Sequence, residues 1–495
     1  MYDQNSAKVN RTDPAFTSLV IKKHQQQLKT NLYINKIYYC VLAGLAFSSI
    51  YLIFNAPVNL PTSKLSLALL ILWVCLFPSL SYLRNPQRPP IPFLPLIGLF
   101  YAITFSLPIF SGDDVYVFEV ASLSEVSNFS LFLTLVGVSS LIFFFYQSKA
   151  SVWKNVNPVK ISNSYSINRL LFLTWLALTA HLAYEYLPIL HVIPSIGNFL
   201  RPLGILCFGI FYLVWAEKKL PRVQAFLIIG IFLPLEILAA LTSGALAQII
   251  HLILFACCLL WYKHQRISII LVAFIIAIYI FLNPIKAQYR ALVWDGIYSQ
   301  ESLLTKTQLF IELAINHQSN KSISFATEDT EKQNIGRIAH IALFSKVIED
   351  TPTKVPYWNG GSYLSLLTKF IPRFIWANKP KETIGNQFGQ RYHLVAHLNT
   401  QTSVNLPWLV ELYANFGAVG VLVGMSFFGV LLALIEQLFN SNKMNLIECV
   451  LGITVILNLV YQESNFSLMI GRVFIVGVGL YFIAKFTLAN KIYIR

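Results

Sequence analysis

Between Asn359 and Gly420 the chain reads NGGSYLSLLTKFIPRFIWANKPKETIGNQFGQRYHLVAHLNTQTSVNLPWLVELYANFGAVG, with Arg373, Lys379, Lys381, Arg391 and His393 close together in it. Tyr363, Trp376, Tyr392, Trp408 and Tyr413 are interleaved with these cations. Guanidinium and ammonium groups bind phosphate oxygens, and flat rings pack against sugars or lipid. Such a set suits an anionic ligand that also carries sugar rings. The same residue types anchor interfacial segments to lipid headgroups, so ligand binding and membrane anchoring both stay open at this level.

A second group of polar and ionisable residues lies within apolar segments or at their ends, where charge is costly and marks functional candidates. His181 and Glu185 are four apart and share a helical face. Arg201, Glu236, Gln248 and His251 follow, then Glu411, Glu463 and Arg472. By their place in the segments they crowd toward one side of a membrane, which points to a polar cavity open on that side. Taken singly, each also reads as a paired structural group. Asp113-Asp114 reads as a solvated turn and not as a metal-binding pair. Cys40, Cys75, Cys207, Cys257, Cys258 and Cys449 all lie in apolar segments, with no disulfide framework and no zinc spacing, so no metal is expected.

The elements that must position these residues follow from composition. Of 495 residues, 56% are hydrophobic and 12% charged, and mean hydropathy is +0.61. A soluble domain carries about 25% charged residues, so the expected class is an all-α integral membrane protein. The net charge of +15 sits mostly in connections beside apolar segments. That distribution reads as membrane topology and argues against nucleic acid.

Residues 1–36 form a polar N-terminal segment without the features of a secretory signal. Span-length apolar stretches follow at 36–54, 65–83, 91–110, 128–146, 167–188, 199–216, 222–241, 245–262 and 267–285, then at 415–438, 445–462 and 467–487. This predicts about twelve transmembrane helices, each close to the roughly 20 residues that cross a bilayer. Nine lie within 37–285 and three within 405–487, with a loop over 286–404 and a tail over 488–495. Alternate connections carry Arg84 and Arg88, then Lys149, Lys154 and Lys160, then Lys218, Lys219 and Arg222, then Lys263 and Arg266, then Lys443. The positive-inside rule therefore predicts both termini in the cytoplasm and the long loop outside the plasma membrane. Within the loop, Ser302–His317 and Arg337–Glu349 have helical spacing, and the second would put Arg337 and His340 on one face. Ser319–Gln333 reads as a polar turn, Asn359–Gly361 as a tight turn, and Phe370-Ile371-Pro372 as a helix break. Gly420 and Gly424 form a GxxxG that favours close helix packing.

The run from Lys286 to Gly420 resembles the Wzy-type oligosaccharide repeat-unit polymerases of O-antigen and exopolysaccharide synthesis. The resemblance rests on KAQYRALVW (Lys286–Trp294), Arg337, TPTKVPYWNGGSY (Thr351–Tyr363), FIPRFIWANKP (Phe370–Pro380), GNQFGQRY (Gly385–Tyr392) and ELYANFGAVG (Glu411–Gly420). It implies a GT-C-like helical bundle that needs neither nucleotide sugar, cofactor nor metal. It also implies undecaprenyl-diphosphate-linked oligosaccharides as substrates, membrane lipids as surroundings, and a flippase and a chain-length regulator as partners. On that basis Arg290, Arg337, Arg373 and Arg391 are expected at the diphosphates, with Lys379 and Lys381 as steering charges. Glu411, His393 and His340 are candidate bases, and Tyr363, Trp376, Tyr392 and Tyr413 are candidate sugar or lipid contacts. The turn Thr242-Ser243-Gly244-Ala245 lacks the arginine common in ligase-type relatives, which tilts the reading away from an O-antigen ligase. A lipid-linked oligosaccharide flippase is a further alternative, although the chain shows no internal repeat.

Overall fold

Apolar stretches out of water must satisfy their backbone N–H and C=O groups internally, which makes them helices. The computed structural model describes residues 14–112, 115–117, 120–161, 166–192, 196–242, 246–265, 303–319, 335–371, 378–400, 402–442 and 444–488, with single positions 289, 292, 293, 298, 301, 373 and 376. The expected segment 267–285 lies outside these, as do Lys286, Arg290, Trp294, the pair Asp113-Asp114 and Ser243–Ala245.

The chain opens with α1 (Pro14–Phe54), α2 (Thr62–Arg84) and α3 (Phe93–Tyr101). The last continues through a π-helical turn at Ala102–Ser106 and a 3-10 turn at Leu107–Phe110. A small antiparallel hairpin, β1 (Tyr116–Val117) and β2 (Ala121–Ser122), pairs Tyr116 with Ser122. Then come α4 (Asn128–Ala150), α5 (Ile167–Tyr186), α6 (Gly197–Ala216) and α7 (Arg222–Leu227). A π turn at Ile228–Phe232 joins α7 to α8 (Leu233–Thr242), and α9 (Leu246–His264) follows. The loop holds α10 (Leu303–Ser319), α11 (His340–Asp350), α12 (Leu366–Lys369) and α13 (Ile384–Arg391). The chain closes with α14 (Trp408–Phe439), α15 (Leu446–Val460) and α16 (Phe466–Leu488). Among the described residues, seven helical runs are long and apolar enough to cross a membrane, and three apolar helices are shorter. α5 has spanning length but carries Arg169, His181 and Glu185 and is not one of the seven. The architecture is that of an all-α membrane protein.

Three local expectations need correction. Helical spacing runs unbroken through Arg337–Glu349, but Ala339 leaves helical geometry (φ −78°, ψ 64°). Arg337 is therefore exposed while His340 is buried, and they share no face. The segment expected at 415–438 begins earlier, at Trp408, so Glu411 lies inside helix and not before it. It also reverses at Gly417 (φ 66°, ψ −156°). The Trp408 and Phe428 rings come within 4.7 Å, and a Cβ on Gly424 would meet the Leu412 side chain. Trp408–Phe416 is thus a short limb folded back along Ala418–Phe439. The GxxxG glycines receive Leu412 and Phe416 of this same element instead of a neighbouring helix. Close interhelical packing occurs elsewhere, where Gly429 of α14 lies against the Leu141 carbonyl of α4. Only glycine adopts the Gly417 conformation without strain, and a Cβ there would also meet the Tyr357 hydroxyl. Gly417→Ala is expected to destabilise the protein by about 2–4 kcal/mol, measurable as a lowered melting temperature in detergent.

The bundle has two unlike ends. At one, the Lys- and Arg-bearing connections meet and are tied by buried polar groups. Lys149 pairs with Glu436, Asn440 exchanges two hydrogen bonds with Ile91 (2.7 and 2.9 Å), Glu448 accepts from the Ile161 N–H (2.8 Å), and Arg88 donates to Gln265 (3.1 Å). The other end, here the mouth, carries the hairpin, α11 to α13, the Gly417 reversal and the Tyr461–Asn465 connection.

Candidate functional site

Glu411 has no exposed surface, and two donors engage its carboxylate. Ser362 Oγ donates to Oε1 and the Phe466 N–H donates to Oε2, each at 2.7 Å. Asn415 Nδ2 donates to Ser362 Oγ and to the Glu411 carbonyl, both at 2.8 Å. Asn415 Oδ1 accepts from the Gly360 N–H (3.0 Å), and the Trp358 N–H donates to the Ala414 carbonyl (3.0 Å). Positive φ at Asn359 (49°) and Gly360 (87°) turns the chain tightly enough for these N–H groups to face the limb. Glu411 therefore clamps three things together: the Trp358–Ser362 turn, the folded-back limb and the start of α16. That is the geometry of a positioning residue.

Beside this clamp lies a cluster of cations. Lys369, at the end of α12, forms an ion pair with Glu382, and its stem packs on Gly471 of α16. Phe370 packs edge-on against Phe474 of α16 with ring centroids 4.7 Å apart. Arg373 donates to the carbonyls of Lys379 (2.6 Å) and Pro380 (3.0 Å), while Lys379 Nζ donates to the Ile371 carbonyl (2.9 Å). This reciprocal clasp closes the loop. Desolvation, then the charges of Lys369 and Arg373, lower the Lys379 ammonium from its ordinary value. Lys381 is exposed on the same loop.

The other expected diphosphate residues are placed differently. The Arg391 guanidinium covers the Trp358 ring at 5.3 Å and donates to the Pro356 carbonyl. Arg337 is exposed near β1, next to Gly336, which abuts the Tyr116 carbonyl. Among the aromatics, Tyr363 stacks on Phe416 (6.1 Å, 3°), and burial, then Glu411, hold its phenol well above the ordinary value. Trp376 is exposed. Tyr392 is a packing residue, buried with its hydroxyl 2.7 Å from Thr351 Oγ1, so it presents no face to a sugar. Tyr413 is buried against Phe344 and Tyr357.

Of the histidines, His393 is exposed at positive φ (56°), its ring 5.4 Å from that of His397. His340 is buried between Phe100 and Phe105, with Nε2 3.7 Å from Glu463 and without a hydrogen-bond partner. The residues expected around a cavity form pairs. His181 Nε2 meets Glu236 at 2.8 Å and Nδ1 meets the Leu200 carbonyl at 3.1 Å. A carbonyl only accepts, so Nδ1 carries hydrogen. Arg201 bonds Glu185 (3.2 Å) and covers the Tyr184 ring (5.5 Å). His251 and Arg472 lie close enough to interact electrostatically.

Sequence reasoning missed Lys369, Glu382, Ser362 and Asn415. Their signals are ordinary ones: a lysine ending an apolar helix, a glutamate in a basic run, a serine after Gly-Gly, and an Asn-Phe-Gly step inside an apolar pattern. Compared with known families, the model described as "Domain of unknown function (DUF8712)" matches residues 121–495. No curated protein and no solved structure matches the chain.

Proposed function

The chain belongs to that DUF8712 family, whose name specifies no activity, and from the residues themselves we propose a membrane glycosyltransferase that polymerises lipid-diphosphate-linked oligosaccharide repeat units. In this reading the bundle is GT-C-like with about twelve spans. The termini are cytoplasmic, and the mouth faces outward from the plasma membrane. The observation that supports it is the set Lys369, Arg373 and Lys379 gathered around one carboxylate, Glu382, on the flank of an apolar helix. Excess positive charge held against a membrane-type helix suits an anion tethered to a lipid, and a diphosphate is such an anion.

The reaction joins an acceptor hydroxyl oxygen to the anomeric carbon of the donor glycan and breaks that carbon's bond to the diphosphate. Negative charge grows on the departing lipid diphosphate, where fixed cations stabilise it. The hydroxyl proton passes to a base. His340 Nε2 has no hydrogen-bond partner and Glu463 stands ready to hold the resulting imidazolium, so this pair fits the task better than Glu411.

Lys379 supplies a pH test. Its folded-state pKa is depressed, so between that value and the ordinary one of about 10.4 the folded protein binds fewer protons than the unfolded chain. Stability of the free protein then rises with pH across that window, while affinity for undecaprenyl diphosphate falls as the ammonium is lost. Melting temperature and dissociation constant measured from pH 8 to 10.5 should show these opposite slopes, and Lys379→Ala should flatten both.

The direct test is a gel of surface polysaccharide from a deletion strain, with and without the wild-type gene. Collapse of the ladder to one repeat unit supports polymerisation. Full-length polymer stranded on its lipid carrier would instead mean a ligase, and repeat units stranded on the cytoplasmic leaflet a flippase.

A further inference from the structure

Buried N–H and O–H groups in proteins are almost always paired, so a group of unpaired ones in one place needs an explanation. Trp408 Nε1, Tyr363 Oη, Gln462 Nε2 and Asn465 Nδ2 are each buried without a hydrogen-bond partner. Two of them border the Phe466 ring, and the other two lie four residues and one residue before it in the chain, the Gln462 amide oxygen accepting from the Tyr101 hydroxyl (2.8 Å). The Trp408 and Tyr363 rings lie 5.2 and 6.0 Å from the Phe466 ring, and Gln462 and Asn465 belong to the connection that ends at Phe466. The unpaired Nε2 of His340 borders the same connection through Glu463.

The chemistry of the four is uniform. Indole and amide nitrogens only donate, and a phenol held neutral donates as well. They need oxygen acceptors, and none of them carries charge. Their surroundings are aromatic: Phe428 stacks on Phe466 (4.7 Å, 13°), and Tyr363 stacks on Phe416. A neutral ligand rich in oxygen, with apolar ring faces, matches both features. A sugar ring is such a ligand.

Position adds a second constraint. Phe466 opens α16 at the mouth, and Gly471, on which Lys369 packs, is about 7–8 Å farther along the helix at 1.5 Å per residue. Along α16 from Phe466 the order is neutral donors with aromatic rings, then the cations Lys369 and Arg472 at Gly471, then the apolar run Val473–Ala484. A lipid-linked glycan standing in a membrane has the same order: sugar, diphosphate, hydrocarbon. We propose that the donors around Phe466 form the subsite for the sugar bonded to the lipid diphosphate, separate from the cations that take the diphosphate. This rests on the glycosyltransferase reading above. Because the four atoms are closed to solvent, entry of a ring requires the side chains around them to part.

The test uses full-length protein in nanodiscs. The probes are undecaprenyl diphosphate and the same lipid carrying glucose, galactose or N-acetylglucosamine. Dissociation constants are measured for wild type, Trp408→Phe and Asn465→Leu. Wild type should bind at least one sugar-bearing lipid about tenfold tighter than the bare lipid. Each variant should lose about three- to tenfold of that advantage, the share of one or two hydrogen bonds, with bare-lipid affinity unchanged. Trp408→Phe keeps an aromatic ring and deletes the donor, so it guards against simple misfolding. Removing an unpaired buried donor should also leave the ligand-free melting temperature equal or higher. Absence of any sugar advantage in wild type overturns the subsite, as does equal weakening of both lipids. A lowered ligand-free melting temperature in both variants does so too, because it would mean the donors hold the fold. If wild type fails to bind even the bare lipid, the polymerase reading itself falls.

Discussion

Arg373→Ala is expected to lower polymer formation about 10²–10³-fold, the usual loss when a group that stabilises transition-state charge is removed. The protein should remain in the membrane at normal level. Arg373 acts twice in this structure. It brings positive charge to the cluster, and its guanidinium bridges the carbonyls of Lys379 and Pro380, which fixes the loop that carries Lys379. A lysine keeps the charge but has no planar fork to span two carbonyls, so Arg373→Lys should recover only part of the activity. Lys379→Ala removes one charge and leaves the Arg373 fork in place, so its loss should be smaller than that of Arg373→Ala. Turnover of purified protein on lipid-linked repeat units, with polysaccharide ladders from complemented cells, checks the order. Retention of wild-type ladder length by both Arg373→Ala and Lys379→Ala would remove the diphosphate assignment.

Glu411 separates two roles that predict opposite outcomes for one conservative change. In Glu411→Gln the amide oxygen can accept from the Phe466 N–H and the amide nitrogen can donate to Ser362 Oγ, so the clamp survives. Glu411→Ala strips both acceptors and leaves two buried donors unpaired, a loss of about 3–5 kcal/mol. A positioning role therefore predicts a glutamine variant of near-normal turnover and stability, with an alanine variant that is unstable or absent from the membrane. A catalytic base predicts a stable glutamine variant with turnover lowered about 10²–10⁴-fold. The clamp geometry favours the first result, read by melting temperature and turnover on the same preparations.

The membrane class was legible because a long chain so poor in charge has few other folds. His181 and Glu185 read as parts of a polar cavity, and the structure gives them partners on neighbouring helices, Glu236 and Arg201. The reversal at Gly417 was not legible: apolar residues run on both sides of it, and a glycine in such a run marks a close approach as readily as a turn. Helical periodicity also ran straight through Ala339, whose break separates Arg337 from His340, since spacing records which residues are apolar and not where the backbone bends. Within the site, Arg373 and Lys379 stood out as cations among aromatics. Lys369 and Glu382 did not, because only folding brings together an ion pair whose members lie on either side of a loop. Gln462 and Asn465 looked like ordinary polar residues of a short connection, and their unpaired amide nitrogens appear only in the folded chain.

The polar ties at the end opposite the mouth bear on how a substrate could move. Transporters work by alternating access, in which each face opens in turn around a central site. Here opening that far face would break the Lys149–Glu436 pair, the double Asn440–Ile91 link and the Glu448–Ile161 bond, stranding charge and amide groups among apolar helices. Under the proposed function, substrate and product would then enter and leave from the mouth, and a lengthening glycan would grow away from the bilayer without being drawn through it.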